Sequence, residues 1–193
     1  FGYFWRYWLK KNDFQSIKNA HQDEDKIDWD GLRRVLANIQ QEFGKAVVFK
    51  NILGTYHFDR LRETLGPIFF LYIERDPLDV AVSILNARRK HYSDPNNWWS
   101  YVPPEYEKII HLDYWDQIAG QVHYLTRFYE DGTKKLEDDN ILARIDYRQL
   151  CSDPKGVLLR IRDSLASRYD FKPEVTLQPP DSFKFNSYPD DLP

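Results

Sequence analysis

The 193-residue chain is 42% hydrophobic and 16% aromatic, which excludes a disordered polymer and gives enough apolar material for one domain with a sizeable core. A net charge of −3 argues against a general nucleic-acid binder. No apolar run approaches the ~20 residues that span a bilayer, and a single cysteine, Cys151, leaves no internal disulfide.

The first segment, residues 2–11, reads as an aromatic-rich helix; Arg6 interrupts its apolar stretch, so it does not read as a signal peptide. An acidic loop, Asp23-Glu24-Asp25, follows as solvated surface. Asp28 or Asp30 caps a helix to about Glu42, with Leu32, Val35, Leu36 and Ile39 as its core stripe. The stretch Val47-Val48-Phe49-Lys50, after Gly44, predicts a strand over 46–50. A short helix at 57–65 stops at Gly66-Pro67. Residues 68–74 predict a second strand, and 77–90 a helix whose core stripe is Val80, Ala81, Ile84 and Leu85. The span 91–112 is irregular. A long helix covers 113–136, with Gly120 and Gly132 as possible breaks; strand 141–146, helix 154–168 and an extended, proline-rich tail at 172–193 complete the chain. Strands alternating with helices predict an α/β fold: a parallel sheet flanked by helices on both faces, in one domain over 1–193.

The richest stretch is Glu74-Arg75-Asp76-Pro77-Leu78-Asp79-Val80-Ala81-Val82-Ser83. Asp76 is a good N-cap and Pro77 suits the first helical position. Arg75 therefore ends a strand beside a helix N-terminus, where open α/β sheets bind anions. Ser83, about two turns further, could add a hydroxyl. The alternative is an ion pair of Arg75 with Asp76 or Asp79.

These residues resemble the 3′-phosphate-binding motif of sulfotransferases that use 3′-phosphoadenosine 5′-phosphosulfate. Two further stretches keep the family's order: Val47-Val48-Phe49-Lys50-Asn51, and Ile145-Asp146-Tyr147-Arg148-Gln149-Leu150 with Asp153-Pro154. In the second, Arg148 stands where the family usually has Glu. The resemblance covers roughly 46–166 and implies a P-loop-like sulfotransferase fold. It implies that Arg75 and Ser83 hold the 3′-phosphate, that Tyr147 lies near the adenine, and that Lys50 serves the leaving phosphate. The implied product is adenosine 3′,5′-bisphosphate, and no metal is implied.

The family's Gly- and Ser/Thr-rich loop for the 5′-phosphosulfate is not recognisable. The eight glycines lie at 2, 31, 44, 54, 66, 120, 132 and 156, never closer than ten residues. Gly44-Lys45-Ala46 precedes a strand and lacks the P-loop spacing, which also counts against a kinase relative. The expectation is a domain that begins after the first strand and loop. Ile52 stands where cytosolic members carry a base histidine. His57, His91, His111 and His123 are substitutes, and their spacing is not that of metal ligands. Tyr92, Trp98, Trp99, Tyr101, Tyr106, Tyr114 and Trp115 form either core for an irregular segment or an acceptor surface suited to carbohydrate. Arg88, Arg89 and Lys90 end the helix that Pro77 starts, where complementing its C-terminal dipole explains them as well as substrate binding does. The absence of a sequon and of paired cysteines favours the cytoplasm. The expected function is sulfuryl transfer to a hydroxyl or amine; the alternative is an inactive sulfotransferase-like nucleotide-binding or interaction module. The oligomeric state is not legible.

Overall fold

The computed structural model describes residues 2–11, 13–20, 24–169, 171, 173 and 178–185. It is a mixed α/β structure, mostly helical (63%), with a two-stranded parallel sheet. The remainder of the proline-rich tail lies outside the described residues. The chain forms two compact units, residues 1–68 with 101–106, and 69–100 with 107–193.

In the first unit, α1 (Gly2–Trp8) and α2 (Phe14–Lys18) precede α3 (Trp29–Phe43). Asp28 caps α3 by accepting from Gly31 N, and Gly44 ends it at φ +60°, a left-handed position that glycine adopts without strain. A 3₁₀ turn (Leu53–His57) leads into α4 (Phe58–Leu65), which stops at Gly66. Leu32, Leu53 and Leu61 are buried at the α3–α4 contact region. Phe49 stacks on Phe4 at 5.7 Å and meets Trp5 edge-on at 5.2 Å.

The strand expected at 46–50 does not form. Residues 46–50 are irregular, with Val47 39% and Val48 80% exposed. β-branched residues favour a pleated, half-buried surface, but a strand exists only where a neighbour pairs its N–H and C=O groups. No ladder partner for 46–50 occurs among the described residues. The expectation that Lys50 ends a strand beside that of Arg75 is therefore corrected: Lys50 ends an exposed, unpaired segment of the first unit.

His57 is buried in this unit (2% exposed), with its ring 5.5 Å from Trp29 and Nδ1 3.6 Å from a Glu24 carboxylate oxygen. Burial, aided by the positive charge of Lys11, pushes its pKa down to about 4. An unfolded histidine takes up a proton near pH 6.5 that the folded one refuses. Stability should therefore be full above pH 6.5 and fall as the pH drops toward 4, by about 3 kcal/mol in total. Chemical denaturation across that range should show this slope, and His57→Gln should remove most of it. An unchanged slope in the variant would contradict the assignment.

The second unit is built on β1 (Phe70–Glu74) and β2 (Leu142–Asp146). They pair in parallel from Phe70↔Leu142 to Glu74↔Asp146. Between them run α5 (Pro77–Tyr92), α6 (Tyr106–Ile109, its first residue in the other unit) and α7 (Tyr114–Asp138). Such a long crossover is what parallel strands require. After β2 come α8 (Tyr147–Ser152) and α9 (Pro154–Tyr169). One sheet face carries Tyr72, Glu74 and Arg144. Arg144 bonds Glu74 across the sheet and Glu137 on α7, and lies 5.1 Å over the Tyr72 ring. Helices α8 and α9 also contact β2; on the other face Ile145 is buried, whereas Leu71 and Ile73 stay 42% and 49% exposed.

Helix α7 runs unbroken through Gly120 and Gly132. At Gly120 a Cβ would meet Ile109 Cγ2 at 2.9 Å, so glycine permits the close approach of that side chain. The buried stripe of α5 is Asp79, Val82, Leu85 and Arg88, displaced from the expected apolar set. Arg88 is not at the helix surface but fully buried. It donates to Pro95 O (3.0 Å), Gln117 Oε1 (2.9 Å) and Gln121 Oε1 (3.2 Å), with its guanidinium 5.1 Å over Trp98. The two glutamines pass the network on: Gln117 Nε2 donates to Ile110 O and Leu112 O, and Gln121 Nε2 to Trp99 O. An irregular loop is fastened by polar bonds to the α5–α7 pair.

Candidate functional site

The two parallel strands end in register, Glu74 opposite Asp146. The next residues, Arg75 and Tyr147, therefore emerge side by side at the carboxyl edge of the sheet. Each strand then turns into a helix capped by an aspartate. Asp76 accepts from Leu78 N (2.8 Å) and Asp79 N (3.4 Å), with Pro77 opening α5. Asp146 accepts from Gln149 N at 2.7 Å and opens α8. The caps fix both turns and leave the Arg75 and Tyr147 side chains to face each other. The Arg75 guanidinium lies 4.6 Å from the Tyr147 ring centroid.

They border a cavity of about 250 Å³ lined by Glu74, Arg75, Asp76, Asp79, Asp146, Tyr147, Arg148 and Phe185. Pockets that take a whole drug-sized ligand measure about 300–1,000 Å³, so this smaller cavity suits part of a nucleotide, a phosphate with its sugar. A hydrogen bond with Cys151 is the main cause that raises the Tyr147 pKa; burial adds to it and the Arg75 charge opposes it. Tyr147 is consequently a neutral phenol at physiological pH. The N-terminus of α5, a helix of 16 residues, contributes its partial positive charge at the same edge.

Of the four candidate site residues, the fold brings Arg75 and Tyr147 together. Ser83 is half-buried on α5, about 9 Å beyond Pro77 by helical rise, and is not among the residues lining the cavity. Lys50 belongs to the first unit and is exposed. Arg148 and Phe185 also line the cavity, although sequence reasoning gave neither a role. Phe183 N donates to Cys151 O at 2.7 Å, which ties the tail to α8, and the Phe185 ring lies 5.6 Å from that of Tyr147. Arg148 was legible only as a departure from the family pattern; no local signal links Phe185 to a site so far away in sequence.

The aromatic span divides between the units. Tyr101 faces Tyr56 and Tyr106 meets Phe14 in the first unit. In the second, Trp99 stacks on His91 (4.3 Å, 5°) with Tyr92 against its edge, and Tyr114 touches Trp115. The 16 residues of α5 span about 24 Å, and Arg75 and Tyr92 sit at its opposite ends. His57 is buried and is no general base for an external acceptor.

A larger cavity of about 750 Å³ lies in the first unit beside α3 and α4, where Asp30, Arg33, Arg60 and Glu63 mix both signs of charge. It contains none of the candidate residues. Among the described residues no cluster of three or more His, Cys, Asp or Glu could hold a metal ion, and no helix is long and apolar enough to cross a membrane. No protein-family model matches the chain, and neither a curated protein nor a solved structure matches it.

Proposed function

We propose that this chain is the nucleotide-binding part of a sulfotransferase that uses 3′-phosphoadenosine 5′-phosphosulfate and passes the sulfuryl group to a hydroxyl or amine. The observation that carries the reading is the pairing of Arg75 with Tyr147 over a small cavity at the carboxyl ends of two parallel strands. Arg75 supplies a planar, permanently charged fork suited to the 3′-phosphate. Tyr147 offers a neutral hydroxyl and a ring face to the nucleoside. The α5 N-terminus adds positive potential.

In-line sulfuryl transfer places negative charge on the bridging oxygen of the leaving phosphate, where a cation is needed. The resemblance gives that role to Lys50, and to Ser83 that of an auxiliary donor to the 3′-phosphate. The exposed Tyr92 and His91 rings beside Trp99 suit a sugar, and at their distance from Arg75 an extended carbohydrate acceptor. A second reading, a nucleotide-binding module without catalysis, is favoured by the exposed, unpaired setting of Lys50. The protein should release adenosine 3′,5′-bisphosphate from 3′-phosphoadenosine 5′-phosphosulfate faster when a hydroxyl-bearing oligosaccharide is added. Nucleotide binding with no acceptor-dependent release would favour the module and overturn the enzyme.

A further inference from the structure

We propose that Arg148 is a second phosphate-reading cation of the Arg75 cavity, a feature of this chain that replaces an acidic residue of the sulfotransferase pattern. The inference rests on the nucleotide reading of the cavity and goes beyond it. Arg148 is the second residue of α8, directly after Tyr147, and lines the same cavity as Arg75. Its guanidinium lies 4.8 Å over the Phe185 ring. Phe185 contacts Tyr147 at 5.6 Å, and Tyr147 in turn contacts Arg75 at 4.6 Å. A chain of cation, ring, ring and cation therefore borders the cavity and holds both guanidinium groups at its wall.

The charge balance makes Arg148 consequential. Four carboxylates line the cavity: Glu74, Asp76, Asp79 and Asp146. Asp76 and Asp146 accept from the first backbone N–H groups of α5 and α8, and Glu74 bonds Arg144. Asp79 is buried on α5. Arg75 and Arg148 are the two lining residues with positive charge. With Glu at position 148 the walls would hold five carboxylates against one guanidinium, a setting that repels a phosphate. With arginine there the walls hold four carboxylates and two guanidinium groups, two charge units less negative than with glutamate. Arg148 is itself exposed, so it can reach a phosphate at the mouth without unfolding anything around it.

Calorimetric titration of the wild-type chain, Arg148→Glu, Arg148→Gln and Arg75→Ala tests this. The probes are adenosine 3′,5′-bisphosphate, adenosine 3′-monophosphate and adenosine 5′-monophosphate. Arg148→Glu should weaken both 3′-phosphorylated nucleotides about tenfold and Arg148→Gln about threefold, while the 5′-monophosphate changes less than about twofold. Thermal melts should match the wild type, because the side chain is exposed. Wild-type affinity in Arg148→Glu, with a clear loss in Arg75→Ala, would overturn the role of Arg148 alone. Equal losses for all three nucleotides would also overturn it, because they would mark a general field effect. A wild-type chain with no preference for a 3′-phosphate would remove the nucleotide reading and this inference with it.

Discussion

Arg88→Ala is expected to cost about 3–5 kcal/mol of stability and to lower the melting temperature of the second unit by about 10 °C. The substitution leaves two buried acceptors, Gln117 Oε1 and Gln121 Oε1, and the part-buried Pro95 O without the Arg88 donors. It also opens a void beneath Trp98, over which the guanidinium lies. Removing one member of a buried polar network is costly because the others stay desolvated and unpaired. Arg88→Lys should recover only a fraction, since an ammonium cannot reproduce a planar fork between two glutamines. Arg89→Ala is the control: Arg89 is exposed, and its loss should stay within about 0.5 kcal/mol. A melt of Arg88→Ala within about 1 kcal/mol of wild type would mean that the network carries little of the fold.

The second large effect concerns ligand binding. Arg75→Ala should weaken adenosine 3′,5′-bisphosphate by about ten- to a hundredfold, as expected for a charge-assisted contact worth about 1.5–3 kcal/mol. Ser83→Ala should act in the same direction by less, since a neutral hydroxyl contributes about 0.5–1.5 kcal/mol. Adenosine 5′-monophosphate should be nearly insensitive to both. A melt that shows Arg75→Ala unfolded would point instead to a structural pairing of Arg75 with the aspartates around it.

The elements that sequence made legible are those with local causes. Asp28 and Gly44 bound α3, and Asp76-Pro77 opens α5, because a cap acts within one turn of the chain. The runs at 70–74 and 142–146 are strands because each has the other as a partner. Val47-Val48-Phe49 has similar composition and no partner, so the same propensity produced no strand. Helices α2 and α8 are five and six residues long, too short to show a periodic stripe. In sequence Arg88 belongs with Arg89 and Lys90 as a cation at a helix C-terminus. Its burial is set by Gln117 and Gln121, 29 and 33 residues away. Half of the candidate site followed the same logic. Arg75 was legible from a strand end and a helix cap, and Tyr147 from resemblance. Their neighbour Phe185 reaches the cavity only because the tail returns to α8.

Calorimetry of the wild-type chain and Arg75→Ala, each titrated with adenosine 3′,5′-bisphosphate and with adenosine 5′-monophosphate, tests the central claim most directly. The account predicts that the wild type prefers the bisphosphate and that Arg75→Ala lowers this preference by about ten- to a hundredfold while leaving the monophosphate affinity within about twofold. Equal affinity of the wild type for the two nucleotides, or equal losses for both in the variant, would contradict it.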